Sequence, residues 1–474
     1  MESSSIRRRL SAAVLAALVG MGAVGALAAP ADAAGVVTHR WMATTAIPLV
    51  QDARLKALLQ ANDDEVELGA MFPDGGYFST NTYGEEAHWG RFADNLADVI
   101  AEQDCGDITA ADGPCAPLIG FLMGVMAHGM GDEVWDWLFE PNSPDRNEFY
   151  WDDDLEGLGG PGGTEIQMDI VAIGRYHRPA PVLPSLSGQD LLLEAFRRSG
   201  MTSVTSSQFT LAMTIARVSY GLESNLATKH LADVESAMPW MAANMITAPG
   251  GVAFGASAIA PLWETYWGRL QGHQPATKVS TTYPAADQTD IPASGWERDR
   301  IVAGSNPGTG GARNRIAAVV SYALPYRPGN VGPALSATLP AGAMTLTDVA
   351  TGQPVPSRRG FPAYEPYGPD SGTHLVDFQP AEDLAPCTWY EASITSALVD
   401  ARGQGVTPTS WRFKTDGTCP IPPTTTTTTT ITTAPAGSAT TAPVVSTPTT
   451  GTTTPTTAAP PTTAPVTGDA VERY

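Results

Sequence analysis

Apolar residues recur at helical spacing over the first half of the chain and in short runs with strand character over the second. Trp41, Ile47, Val50, Leu55, Leu58 and Leu59 hold a roughly helical period across 41–59, and Pro48 divides that segment. Phe92, Leu96, Val99 and Ile100 repeat the spacing. Further helices are predicted over 165–175, 189–198, 208–223, 233–246 and 256–270. From Asp287 onward Pro, Gly and Thr punctuate runs at 316–322, 335–339, 344–351, 373–378, 389–394 and 410–414. Short runs with turn residues between them are the pattern of an all-β sandwich. The predicted organisation is multidomain: an all-α domain over 34–274, an all-β sandwich over 275–420, and a disordered Thr/Pro-rich tail over 421–474.

One predicted helix breaks its own apolar pattern. The segment 121–138 reads FLMGVMAHGMGDEVWDWL, and His128, Asp132 and Asp136 follow one another at four-residue spacing. Each such step overshoots a full α-helical turn by about 40°, so the side chains form one polar stripe on a helix otherwise fit for burial. Unpaired buried charge is costly. The stripe therefore calls either for a bound cation or for a core His satisfied by a neighbouring carboxylate.

Charge narrows the partners. With 27 Lys+Arg against 49 Asp+Glu, the net charge is −22. That balance disfavours nucleic acid, and anionic membrane held by a basic patch. Substrate phosphates stay compatible where metal ions supply positive charge locally. At the N-terminus, Arg7, Arg8 and Arg9 precede the apolar stretch 10–29, and Ala31-Asp32-Ala33 supplies a small-x-small cleavage pattern. Residues 1–33 are expected to be a signal peptide. No later stretch reaches the roughly 18 continuous apolar residues of a membrane span, so the mature chain is expected to be exported, without a transmembrane segment. Cys105 with Cys115, and Cys387 with Cys419, are read as two local disulfides. A Cys-based zinc site is the alternative reading, but no CxxC pair supports it. The tail that opens PIPPTTTTTTTITT has almost no large apolar side chains and reads as an extended stalk.

Three other residues could join the stripe's chemistry. His39 opens the first helix, Asp74 sits in a Pro-Asp-Gly-Gly turn within GAMFPDGGYF, and His88 lies in EEAHWGRF at a helix start. Taken singly, each has a plainer reading: a helix cap, a solvated side chain, a turn. Nitrogen and carboxylate donors without thiolates suit Zn²⁺ in a hydrolytic site.

Four segments in order, THRWMATTAIPL, LGAMFPDGGYF, EEAHWGRF and LIGFLMGVMAHGMGDEVWDWLF, carry a resemblance. Together they resemble the zinc-dependent phospholipase C family, and most closely its branch at the N-terminus of glycosylphosphatidylinositol-specific phospholipase D. The likeness covers about residues 34–180. It implies a multi-zinc site in which His39 binds one metal, with the mature N-terminal amine as a co-ligand. It implies metal binding by His88, His128 and Asp132, with Asp132 bridging, and contact to metal by Asp74 acting as general base. The family pattern places a further His where Asp136 stands, and a later His and carboxylate near Glu156 and Gly160. Here that third site has lost its imidazoles. Asp136, Glu156 and Asp152, Asp153 and Asp154 would make it oxygen-rich, suited to Ca²⁺, Mg²⁺ or Mn²⁺, or leave it empty; the acidic run also reads as a solvated loop. Further on, SALVDARGQGVTPTSWRFKTDGTC resembles the end of bacterial Ig-like modules of the surface-layer type, through Asp400, Gly403, Trp411, Phe413 and Thr415.

The function expected from these readings is a secreted, metal-dependent hydrolase that cleaves phosphodiester bonds of phospholipids or related head-group esters, touching membrane lipid peripherally. Two zinc sites carry that reading. The alternative is a surface or adhesion protein on a catalytically degraded phospholipase scaffold. Single-strand nuclease chemistry is disfavoured by the scarcity of basic residues near the site.

Overall fold

The computed structural model describes residues 35–77, 83–88, 90–145, 165–178, 186, 188–293, 316–325, 337–358, 363–364 and 373–419. The expected signal peptide, the acidic loop with Glu156, and the Thr/Pro-rich tail lie outside the described residues. All described elements belong to one compact unit, Met1–Pro420. Helices come first: α1 Val36–Ala46, α2 Ala53–Ala61, α3 Asp63–Gly76, α4 Gly84–Ala87, α5 Gly90–Ala101, α6 Ala116–Val134, α7 Glu140–Asn142, α8 Glu165–Gly174, α9 Gln189–Arg198, α10 Ser206–Ala237, α11 Pro239–Asn244 and α12 Val252–Leu270. Strands follow: β1 Val279–Tyr283, β2 Gln288–Ile291, β3 Ile316–Val320, β4 Ala337–Thr338, β5 Met344–Asp348, β6 Ala363–Tyr364, β7 Leu375–Phe378, β8 Trp389–Ile394 and β9 Thr409–Thr415. Among the described residues no helix is long and apolar enough to cross a membrane.

Local chemistry sets most of these boundaries. Pro48 falls in a 3₁₀ turn, Ile47–Leu49, that separates α1 from α2. Asp52 caps α2, accepting the Arg54 and Leu55 amides at 2.9 Å each. Two expectations are revised. The segment predicted at 208–223 and the start of the one predicted at 233–246 belong to the single helix α10, because nothing between them breaks a helix; the second prediction is divided at Pro239, which starts α11. The Pro-Asp-Gly-Gly segment forms the last turn of α3 and not a free turn. Pro73 lacks only one amide hydrogen, and its fixed φ is helical, so the turn survives it.

Sheet topology explains the composition of β3. The strands form a five-stranded sheet ordered β1-β3-β7-β6-β4 and a four-stranded sheet ordered β2-β9-β8-β5. Ile316, Ala318 and Val320 join Met344, Leu346, Ala392, Ile394, Trp411 and Phe413 in a core between the two sheets. The alternate residues Ala317 and Val319 join the core of the helices instead, with Tyr283, Tyr322 and Leu375. A strand covered on both faces reads as the continuous apolar run IAAVV. Helices, first sheet and second sheet are therefore successive layers, with α12 against β1 and β3. Both cysteine pairs are disulfides, Cys105–Cys115 and Cys387–Cys419, a chemistry that belongs to oxidising compartments.

Candidate metal centre

Four helices supply five donors to one buried point. His39 lies in the first turn of α1, Asp74 in the last turn of α3, and His88 caps the end of α4; His128 and Asp132 share one face of α6. Each is placed by a specific backbone feature. The start of α1 is fixed by Asp169 on α8, whose carboxylate accepts the Val37 amide at 2.8 Å, the Thr38 amide at 2.9 Å and the Thr38 hydroxyl at 2.8 Å. Those amides have no partner within their own helix, so the carboxylate satisfies them and holds His39 in place. Helices α3 and α6 touch backbone to backbone at Gly69 and Gly124. A Cβ on Gly124 would lie 2.1 Å from the Val66 carbonyl oxygen. That close approach brings the Ala70 carbonyl to 2.8 Å from His128 Nδ1. His88 Nδ1 lies 2.6 Å from the Gly84 carbonyl. Both rings therefore donate through Nδ1 and turn Nε2 inward, where it offers a lone pair once deprotonated.

The inward atoms are crowded. Asp132 Oδ1 is 3.0 Å from His39 Nε2, and Oδ2 is 3.4 Å from His128 Nε2 and 3.7 Å from His88 Nε2. Asp74 Oδ1 is 3.3 Å from His88 Nε2 and 3.5 Å from His128 Nε2. The rings of His39 and His128 stand 3.8 Å apart, centre to centre. Yet His39 Nε2, His128 Nε2 and both Asp132 oxygens are buried without a hydrogen bond of good geometry. Buried polar groups that converge in this way could be satisfied by a cation. Two overlapping triads, His39–Asp74–His128 and His88–His128–Asp132, each keep their donor atoms within 4.8 Å and could hold a metal ion.

Electrostatics couple the five groups tightly. Burial opposes a proton on His88, but hydrogen bonding to Asp74 and the charge of Asp132 raise its pKa to about 9. Burial and the neighbouring His39 push His128 down to about 4. Burial works against the ionised Asp74, and the charges of His128 and His88 still hold it well below the usual carboxylate range. A divalent ion would replace those protons. Asp74 is the donor open to solvent, with 21 % of its side chain exposed against 2 % or less for the other four.

Asp136 stands apart. The backbone passes from α6 into a π turn over Trp135–Phe139, and Asp136, half-buried there, belongs to neither triad. Glu156, Gly160, Asp152, Asp153, Asp154 and the proposed new N-terminus are outside the described residues. Asp169 did not stand out by spacing; its signal was a lone acid inside the apolar run of α8. Glu133 is a second buried acid on α6 and bonds His374 across the chain, which no local pattern announces.

No protein-family model and no curated protein matches the chain. Among solved structures it aligns with the S-layer protein SbsC. The crystal structure of rSbsC(31-844) is matched at 10 % identity over 78 % of this chain and 46 % of that one, with a TM-score of 0.19. A structure of SbsC domains 1–6 is matched at 11 % identity over the same shares, and its N-terminal part at 12 % over 78 % and 80 %, both with a TM-score of 0.19. This chain thus spans about half the length of the first two, and alignments at that score carry no argument about its function.

Proposed function

We propose that the chain is a secreted, zinc-dependent phosphodiesterase of the phospholipase C type. The observation that carries this reading is the convergence of three imidazoles and two carboxylates on one buried point, with His39 Nε2 and His128 Nε2 buried there without a hydrogen bond of good geometry. The donor set is nitrogen and oxygen only, which fits Zn²⁺. His39, His128 and Asp74 would hold one ion, and His88, His128 and Asp132 overlap them in a second group; His128 is the member both groups share, and Asp132, 3.0 Å from His39 Nε2, also faces the first. A bound divalent ion supplies Lewis acidity and positive charge to a phosphoryl group. The chain's own residues do the rest. Ala70 and Gly84 fix the tautomers of His128 and His88 through their carbonyls. Asp169 holds His39. Asp74, ionised at neutral pH and alone in reaching solvent, accepts the proton of the attacking water. The acidic surface then needs no basic pocket for a phosphate ester, and the disulfides fit export. The substrate class is a phospholipid or similar head-group diester, met at a lipid surface without insertion.

A second reading is favoured by one observation: Asp136, where the family pattern would have a ligand, is outside both triads. On that reading the chain is a surface or adhesion protein that keeps the scaffold and has lost the chemistry. Elemental analysis together with turnover of a nitrophenyl phosphodiester separates the two. Two zinc ions per chain with turnover supports the enzyme. One ion or none, with no turnover, sinks it and leaves the scaffold protein.

A further inference from the structure

We propose that Glu133 is a positioning residue of the metal centre, and that the β layer, through Thr373 and His374, holds α6 where His128 and Asp132 can share a cation. The proposal rests on the metal-centre reading above. Glu133 follows Asp132 directly and points to a different side of the helix, about 100° away. It is buried, with a side-chain exposure of 3 %. Its carboxylate accepts the His374 amide at 2.7 Å, lies 3.0 Å from His374 Nδ1, and takes the Thr373 hydroxyl at 3.4 Å. These donors come from two consecutive residues at the entry to β7, and from no helix.

That entry is firm ground. Strand β7 lies inside the five-stranded sheet, paired with β3 from Ile316↔Phe378 to Val319↔Leu375 and with β6 on its other side. Just beyond the ladder, the Val320 amide bonds the His374 carbonyl at 2.8 Å, and the Leu324 amide bonds the Thr373 carbonyl at 2.8 Å. A charged acceptor bonded to such a platform cannot slide without leaving a buried carboxylate unsatisfied. Because Glu133 and Asp132 are adjacent on a rigid helix, fixing the rotation and height of one fixes the other. The β layer is then part of the metal site's frame, not a detachable spacer.

A second contact between the layers serves as the control. Asp94 on α5 bonds the Tyr266 hydroxyl at 2.8 Å and the Tyr322 hydroxyl at 3.2 Å and pairs with Arg269. Helix α5 carries no donor of the centre. The test uses the full chain, with Co²⁺ as the probe, read by its visible absorption and by titration, alongside thermal melts. Glu133→Gln is expected to lower Co²⁺ affinity by about tenfold and to shift the absorption band. Asp94→Asn is expected to lower the melting temperature and leave both cobalt readouts as in wild type. His374→Gln keeps the backbone bond to Glu133 and carries the test if Glu133→Gln does not fold; it should show the band shift with a loss of affinity in the same direction. Wild-type affinity and spectrum in a folded Glu133→Gln or His374→Gln would overturn the proposal, as would an equal loss in Asp94→Asn. A wild-type chain that binds no Co²⁺ overturns the metal-centre reading itself, and this proposal with it.

Discussion

Asp132 and Asp136 stand four residues apart along one continuous run of helical backbone, and the two ends of that run do different work. At Asp132 the helix is α, the carboxylate is 1 % exposed, and three imidazole nitrogens lie within 3.7 Å of it. At Asp136 the backbone is π, the side chain is half-buried, and neither donor triad includes it. Hydrogen bonding from i to i+5 adds a residue to the turn and rotates the following side chains off the stripe that α geometry would give. Four-residue spacing therefore predicts a shared face only as far as the α geometry lasts.

The difference is sharpest under substitution of the buried member. Asp132→Ala removes the carboxylate that faces all three imidazoles. Structural zinc sites bind with about 10–16 kcal/mol spread over four ligands, so loss of one is expected to weaken zinc by roughly 100-fold or more. Dialysed protein should then contain no zinc, and diester turnover should vanish with it. Full turnover in this variant would remove Asp132 from the chemistry.

The α end depends in turn on a crossing that only small residues permit. Gly124→Val drives a side chain into the Val66 carbonyl and the Ala70 amide of α3. Overpacking of this kind costs about 1–3 kcal/mol or more, and it also separates His128 from the Ala70 carbonyl. The melt of zinc-free protein should fall, and zinc affinity should fall with it. An unchanged melt would show that α3 and α6 are not in backbone contact.

Much of the donor set was legible because the sequence placed rare polar groups in apolar surroundings: His128 and Asp132 in a run of Met, Val and Gly, Asp74 between Phe72 and Tyr77, His88 beside a Trp. What was not legible has a common physical cause. Asp169 and Glu133 act through residues 131 and 241 positions away, at Thr38 and His374, and no local period encodes such a partner. Helix α3 is not legible because its polar first turn hides the apolar face that begins at Val66. Strands β1 and β2, rich in Thr, Ser and Gln, lacked the apolar alternation that marks a strand. The π turn was hidden for a further reason: Trp135, Trp137, Leu138 and Phe139 are apolar on every side and suit either geometry.

Protons would compete with a cation at the α end, and that competition has a pH signature. In the metal-free chain the pKa of His88 rises from 6.5 to about 9 because Asp74 and Asp132 outweigh burial. The folded chain therefore holds more protons than the unfolded chain between those values. That stabilisation is fully present below 6.5 and is lost as pH rises through about 9, so chelator-treated protein should melt lower at pH 9 than at pH 7. Zinc must displace the same proton, so its affinity should rise about tenfold per pH unit across the window, and binding at pH 7 should release protons. Titration calorimetry in buffers of different ionisation heat reads that release directly. Heats that do not depend on the buffer would exclude a protonated His88.

The smallest effect belongs to the π end and decides how far the contrast holds once a cation is bound. A half-buried carboxylate outside the donor shell loses no metal contact on substitution, so Asp136→Asn should change zinc affinity by no more than roughly twofold. The π turn follows directly from Asp132 on the same backbone, however, and π turns are stored distortions of an α-helix. If a cation drew Asp136 inward, the turn would have to return to α geometry, and the substitution would then cost the tenfold or more expected of a ligand. Zinc titration of Asp136→Asn therefore separates a fixed two-triad centre from one that recruits a sixth donor on loading, and a tenfold loss would end the distinction between the two aspartates.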